Sequence, residues 1–321
     1  MEDNGYHDQE SKGKKRARNR KKATALARYF FIKGQKARSK DGRMNSKEIT
    51  KEGIKIRRLA PEEIPLPPFW GSRRLKKIPP EKVLPFLNVR VLVSARWQLK
   101  EKASLPANSR LIPDTLLSSF LEEARHKNLL QFQATYGYFP ARSQKNKLLV
   151  FRSESDDSPL VFSFPALKSF PETSLADFFL PEEAEKKDVA AFSLVTGGHK
   201  LDAFIKEKWG EGDYADYFLW HGFGAELTEA LAEYIHFKIR QELGLEAKGQ
   251  PDYAACFKKK YRGRRLSPGY PSFPQLEDQK KILELLKGEE IRVSLTETFQ
   301  LVPELTTTAI ILHHPDASRY F

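Results

Sequence analysis

Hydrophobic and polar positions change period several times along the chain, and each change marks an element. Phe132–Phe139 and Leu148–Ser153 alternate as a half-buried strand pair does, with the polar stretch Ala141–Lys147 as the connecting loop. Leu160–Phe164 adds a short third strand, Val189–Val195 is an apolar run ended by Thr196-Gly197-Gly198, and Thr307–His313 is a β-branched strand. Helical spacing replaces alternation over 114–128, where Leu116, Leu117, Phe120, Leu121 and Ala124 follow an acidic start at Asp114. The same period runs through Lys200–Trp209 and Gln279–Lys287. It also runs through Tyr214–Leu243, which carries Leu227, Leu231, Tyr234, Ile235 and Ile239 on one stripe. Glu81–Lys100 approximates it with Val83, Leu84, Leu87 and Val91. There is no strict βαβ rhythm, no internal repeat and no nucleotide-type glycine loop. The pattern predicts an α+β fold, a twisted antiparallel sheet with flanking helices.

The first fifth of the chain follows another logic. Residues 1–22 carry eight Lys and Arg between Lys12 and Lys22 without apolar periodicity, and read as disordered and solvated. Ala23–Lys40, with Tyr29-Phe30-Phe31, reads as a short amphipathic helix, and Lys40–Arg58 as a linker. Pro61 to Pro80 holds six prolines and should run extended over a surface, anchored by Phe69 and Trp70. Charge respects the same division. Residues 1–58 hold 19 Lys and Arg against 7 Asp and Glu, so a basic tail carries nearly all of the net +13. Residues 59–321 are almost neutral and form the folded domain. The tail lacks the aromatic interleaving of a base-reading surface, so nucleic acid is not the expected partner. No apolar run approaches a membrane span, and no basic start leads into a secretory core. The single cysteine, Cys256, excludes an internal disulfide, and a cytoplasmic setting is expected.

The chemistry concentrates in Arg264-Arg265-Leu266-Ser267-Pro268-Gly269-Tyr270-Pro271-Ser272-Phe273-Pro274. Three prolines and a glycine restrict this backbone, and residues before proline are pushed out of the helical region, which predicts an extended arm. A guanidinium takes a carboxylate through two parallel hydrogen bonds, a bare glycine lets a ligand lie against the main chain, and a tyrosine covers a ring. On these residues alone a proline-rich surface turn is an equal reading.

Arg265-x-x-x-Gly269-Tyr270-Pro271 resembles the S-adenosylmethionine-binding arm of the activation domain of cobalamin-dependent methionine synthase. Leu295-Thr296-Glu297-Thr298 and His314-Pro315-Asp316-Ala317-Ser318-Arg319-Tyr320 follow at the family's spacing. Upstream, Tyr136-Gly137-Tyr138-Phe139-Pro140, Val195-Thr196-Gly197-Gly198 and Ala232-Glu233-Tyr234-Ile235-His236 fall in the family's order. Pro67-Pro68-Phe69-Trp70-Gly71, and Leu87-Asn88 with Trp97, resemble the start of the domain, so the likeness covers roughly 60–321.

The resemblance implies that Arg265 pairs with the carboxylate of the ligand's methionine part, and that Gly269 and Tyr270 meet the ligand through backbone and ring. It places Tyr320 as a second ligand-contacting tyrosine near the end of the chain, where family members usually continue. Asn88 stands where some members carry an aspartate that holds the ligand's amino group, and Glu229 matches an acid near the ligand. Glu229, Glu233 and His236 fall at i, i+4 and i+7 on one helix face, which suits either a sulfonium cation or plain solvation. Lys259 replaces a common glutamate and is expected to point outward; Phe273 replaces a cysteine as a packing change. His313-His314 read as structural or surface residues. No metal site is expected. The cobalamin signature Asp-x-His-x-x-Gly is missing: His221-Gly222-Phe223-Gly224 supplies only a chance fragment, with Leu219 in the aspartate's place.

What the resemblance implies as a whole is a free-standing reactivation component of a split methionine synthase. It would present S-adenosylmethionine to cobalamin on a partner chain, and an electron from a flavodoxin-type donor would complete the reductive methylation of cob(II)alamin. The basic tail would tether it to an acidic partner surface. Three other readings stay open: reactivation of another corrinoid methyltransferase, a non-catalytic S-adenosylmethionine sensor, or a nucleic-acid-associated protein acting through its tail.

Overall fold

The computed structural model describes residues 56–99 and 111–321; the basic run and the candidate helix Ala23–Lys40 lie outside the described residues. Contacts divide the chain into two compact units. The larger takes in the described residues of Lys47–Asn88, Ala124–Asp202 and Gly224–Phe321, and the smaller those of Val89–Glu123 and Ala203–Phe223.

Among the described residues, the larger unit contains a seven-stranded sheet. Its strands are β1 (Gly71–Leu75), β2 (Gln133–Gln144), β3 (Lys147–Val150), β4 (Leu160–Ser163), β5 (Asp188–Thr196), β6 (Arg264–Leu266) and β7 (Thr306–Leu312). The order is β4-β3-β2-β5-β7-β6, with β1 pairing along the first half of β2, and every ladder is antiparallel. All nine residues of β5 are buried, because this central strand is covered on both faces; that explains its unbroken apolar run. One face carries Phe139, Ala141, Phe192, Leu194 and Ile310 against Ile282, Leu285 and Leu286 of the helix Asp278–Leu286. The other face of β2 carries Tyr136 and Tyr138, whose hydroxyls donate to the two carboxylate oxygens of Glu242, at 3.0 and 2.7 Å. Lys238 completes the cage at 2.8 Å, and Phe69 lies edge-on to both tyrosines. This cage fixes the last turn of a long helix, Tyr214–Glu242, on the sheet.

The smaller unit packs aromatic rings. Phe120, on the helix Leu111–His126, lies 4.4 Å from Trp220 and 5.4 Å from Trp97 between ring centroids. The Trp97 indole donates to the Leu219 carbonyl at 2.9 Å, so a large apolar ring is buried with its polar atom satisfied.

Among the described residues the predicted strands and helices are present, with differences in several places. The helix expected over Glu81–Lys100 is broken into a turn of helix at Pro80–Val83, a 3-10 turn at Leu84–Phe86 and further short turns to Arg96. Pro85 is the cause, since it lacks an N–H and clashes with the preceding turn. The loop expected over Ala141–Lys147 is mostly strand: β2 runs to Gln144, and the chain reverses at Lys145, which takes φ +54°. Its polar residues find distant partners, as in Arg142, whose Nη1 donates to the Glu182 carbonyl. Phe69 anchors the proline segment, but Trp70 remains 36% exposed.

Gly137 sits where β1 crosses β2 so closely that a Cβ would stand 2.3 Å from the Gly71 carbonyl oxygen. Backbone cannot yield as a side chain can, so Gly137→Ala should force the two strands apart and destabilise the fold by about 1–3 kcal/mol, measured by denaturant unfolding.

Candidate functional site

Strand β6 separates two arginines by the alternation of a strand. Arg264 donates to main-chain carbonyls of Phe321, Ser318, Gly263 and Lys259, and so holds the C-terminal turn in place. Arg265 turns to the long helix, and its Nη2 donates to Glu229 Oε2 at 2.7 Å. The Arg265 side chain is 15% exposed and that of Glu229 is 42% exposed. Burial alone would lower the arginine pKa; the charges of Glu229 and Glu233 outweigh it and raise the pKa above its ordinary value.

Glu233, one turn along the helix from Glu229, is in a different setting. Arg240 donates to Oε1 at 3.4 Å and the Tyr261 hydroxyl to Oε2 at 3.4 Å. Arg240 is fully buried: it also donates to Glu246 at 3.2 Å, reaches the Cys256 sulfur at 3.8 Å, and lies 3.8 Å from the centre of the Tyr261 ring. Burial pushes the Glu233 pKa up, but the neighbouring positive groups reverse this and hold it well below the usual carboxylate range. His236 stands on the same face with its ring edge-on to Tyr261. Its Nδ1 lies 3.7 Å from Glu233, beyond hydrogen-bond reach, and both ring nitrogens are buried without a hydrogen-bond partner. Burial lowers its pKa to about 4, so it is neutral at pH 7. The face is therefore a buried ion network at Glu233 and a half-open carboxylate at Glu229, not a solvated stripe.

The segment after Arg265 differs from the extended arm expected. The chain is extended only through Leu266 and then closes into a loop: Gly269 N donates to Phe273 O and Phe273 N to Tyr270 O, both at 2.8 Å. Gly269 takes φ +93°, which only glycine adopts readily, and a Cβ there would meet Leu276 Cδ2 at 3.1 Å. Phe273 is fully buried against Phe162 and Phe164, a packing anchor as expected from its replacement of a cysteine. Tyr270, by contrast, is 63% exposed. The loop is pinned at both ends and presents one tyrosine outward.

Tyr320 lies on the short helix Ala317–Tyr320, its ring 4.3 Å from Phe170 and 5.2 Å from Phe178. Asn88 is two residues beyond Phe86, whose ring packs on Tyr234, Phe237 and Tyr253. Lys259 is exposed. His313 and His314 are structural: His313 pairs with Asp188 at 2.6 Å, and His314 accepts from Asp316 N at Nδ1 while its Nε2 donates to the Arg57 carbonyl at 2.9 Å. Thr196-Gly197-Gly198 is the turn between β5 and the helix His199–Gly210. Sequence reasoning missed Arg240, Glu246 and Tyr261. Arg240 lies seven residues after Glu233 on the same face and was findable by extending the stripe; Tyr261 and Glu246 come from loops that carry no such period. Among the described residues no cluster of His, Cys, Asp and Glu could hold a metal ion, and no helix is long and apolar enough to cross a membrane.

The model of the vitamin B12 dependent methionine synthase activation domain matches residues 95–321. Methionine synthases of Mycobacterium leprae (strain TN) and Mycobacterium tuberculosis (strain ATCC 25618 / H37Rv) are each 38% identical over 277 residues, which is 81% of this chain. The chain spans 23% of the length of each. A crystal structure of the MetH reactivation domain bound to AdoHcy superposes with a TM-score of 0.69 at 23% identity, covering 79% of this chain and 81% of that one. At this identity the likeness is one of fold.

His236 gives the network a pH signature. A histidine held neutral by the fold stabilises fully above its unfolded pKa of about 6.5, and that contribution is lost as pH falls toward 4, because the unfolded chain takes up the proton first. His236→Phe, which keeps the ring, should therefore lose about 2 kcal/mol less than the unsubstituted protein between pH 7.5 and pH 5. Denaturant midpoints at the two pH values measure it; equal losses would place His236 outside the titrating network.

Proposed function

The chain belongs to the vitamin B12 dependent methionine synthase activation-domain family, and from that premise we propose that it binds S-adenosylmethionine at the Arg265 loop and presents the methyl group to a cobalamin-binding module. The observation that carries this reading is the buried Arg265 guanidinium, held at the start of a pinned glycine–tyrosine loop with a half-exposed carboxylate as its direct partner. An α-amino acid zwitterion needs this pairing of one cation and one anion within a few ångströms.

In this reading Arg265 takes the ligand carboxylate, and Glu229 and Asn88 receive its ammonium. The ligand lies against the bare backbone at Gly269, Tyr270 covers its ring system, and Tyr320 is a further contact. None of these groups needs to act as nucleophile or general base. Their work is to bind and orient, so that a bimolecular methyl transfer becomes a positioned one. Cobalamin, bound by its own module, supplies the cobalt that accepts the methyl group, and a flavodoxin-type donor supplies the electron. That module is not encoded in these 321 residues: Asp-x-His-x-x-Gly and the cysteine ligands of a homocysteine module are both missing from the sequence. A separate cobalamin-binding chain is part of the proposal.

Calorimetric titration of S-adenosylmethionine into the protein and an Arg265→Ala variant tests the reading. Losing one desolvated, charge-assisted carboxylate pair should weaken binding by about ten- to a hundredfold. An affinity unchanged by the substitution would remove Arg265 from the site, and with it the reading of the loop.

A further inference from the structure

Two carboxylates on one helix lie within the field of Arg265, and their settings are opposite. Glu233 is fixed: its side chain is 14% exposed, and Arg240 and Tyr261 occupy its two oxygens. Glu229 is loose: its side chain is 42% exposed, and its hydrogen bond to Arg265 at 2.7 Å is its direct contact. Glu233 acts on Arg265 through its charge, without a hydrogen bond to it.

We infer that Glu229 is an exchangeable internal cap on the ligand-binding arginine, while Glu233 is the positioning residue that stays in place. The inference rests on the ligand reading above and specifies how that site is regulated. Without ligand, Glu229 holds the guanidinium and keeps a partly buried cation paired. An incoming α-amino acid group replaces it: the ligand carboxylate takes Arg265, and the released Glu229 side chain turns to the ligand's ammonium. The number of charge pairs is conserved in this exchange, so ligands that carry both charges enter with little electrostatic loss. A ligand with a carboxylate and no ammonium must displace Glu229 and leave it unpaired. The cap therefore selects for the zwitterion and excludes simple carboxylates, which abound in any cell. Glu233, locked by its own partners, holds the arginine charged and aimed during the exchange.

Titration of two ligands into three proteins separates the roles. The ligands are S-adenosylhomocysteine and its desamino analogue, which keeps the carboxylate and lacks the ammonium. The unsubstituted protein should prefer the first by about tenfold or more. Glu229→Gln, at a half-exposed position where folding is not at risk, should bind the desamino ligand about three- to tenfold more tightly and S-adenosylhomocysteine less tightly, closing the gap. Glu233→Gln should weaken both ligands by one common factor; if it does not fold, as a melting curve would reveal, the Glu229→Gln result decides alone. Equal weakening of both ligands by Glu229→Gln would make Glu229 a fixed support and overturn the cap. Failure of the unsubstituted protein to bind either ligand would overturn the ligand reading itself, a different result from loss of selectivity.

Discussion

The Arg240 guanidinium is buried with no exposed surface, and much of the larger unit is arranged to make that tolerable. One carboxylate would not compensate the desolvation of an arginine, and removing a partner from a buried pair leaves an uncompensated charge. Here two carboxylates, a tyrosine face and a cysteine sulfur converge on it from three separate segments: the long helix, the loop after it, and the stretch leading to β6. The arginine thereby ties the helix to the residues that set the path into the Arg265 strand. At the helix end, Glu242 is held by Tyr136 and Tyr138 on β2. With two such clamps, the distance between Glu229 and Arg265 is fixed by structure that neither residue provides.

The same logic explains why adjacent arginines do different work. Arg264 donates to main-chain carbonyls, and it uses them to stitch the last turn of the chain to the strand. Arg265 faces charge. Carbonyl partners suit a structural cation because they are part of the backbone and cannot leave. A side-chain carboxylate with solvent on one side can leave, and a binding site requires that of its occupant. Loop closure between Gly269 and Phe273 adds the remaining constraint, since a tyrosine on a floppy segment would lose entropy on meeting a ligand that a pinned one has already given up.

Period, turn residues and motif order made the architecture legible. The strands around Val189–Val195 and the long helix were readable because burial on both faces, or on one stripe, leaves a one-dimensional trace. The segment after Arg265 stood out because prolines and a glycine crowd it, yet those residues close it into a loop where an extended arm was expected. What stayed illegible was everything set by contacts far apart in sequence. Pro85 was visible, but its effect on the run from Glu81 was outweighed by the apolar spacing around it. The polar residues Arg142 and Gln144 looked like a loop because their partners, Glu182 among them, lie 38 or more residues away. Tyr261 and Glu246 carry no periodic signal, since loop residues answer only to the three-dimensional site that they complete.

The electrostatics around Arg265 are those of a balanced cluster of opposite charges. Two glutamates of one helix face the arginine, Glu246 adds a third negative charge against Arg240, and Arg264 lies within the field of Glu233, so three carboxylates meet three guanidinium groups. His236 adds nothing to the positive side, because burial keeps it neutral at pH 7. In the proposed reading a zwitterionic amino acid group, with one charge of each sign, enters such a cluster without upsetting its balance. The two departures that the family resemblance implies, at positions 259 and 88, each make the surroundings less negative. Lys259 is exposed, where the field it projects is screened. In the proposed reading an asparagine at position 88 still accepts a hydrogen bond from an ammonium and gives up only the ion-pair part of the interaction.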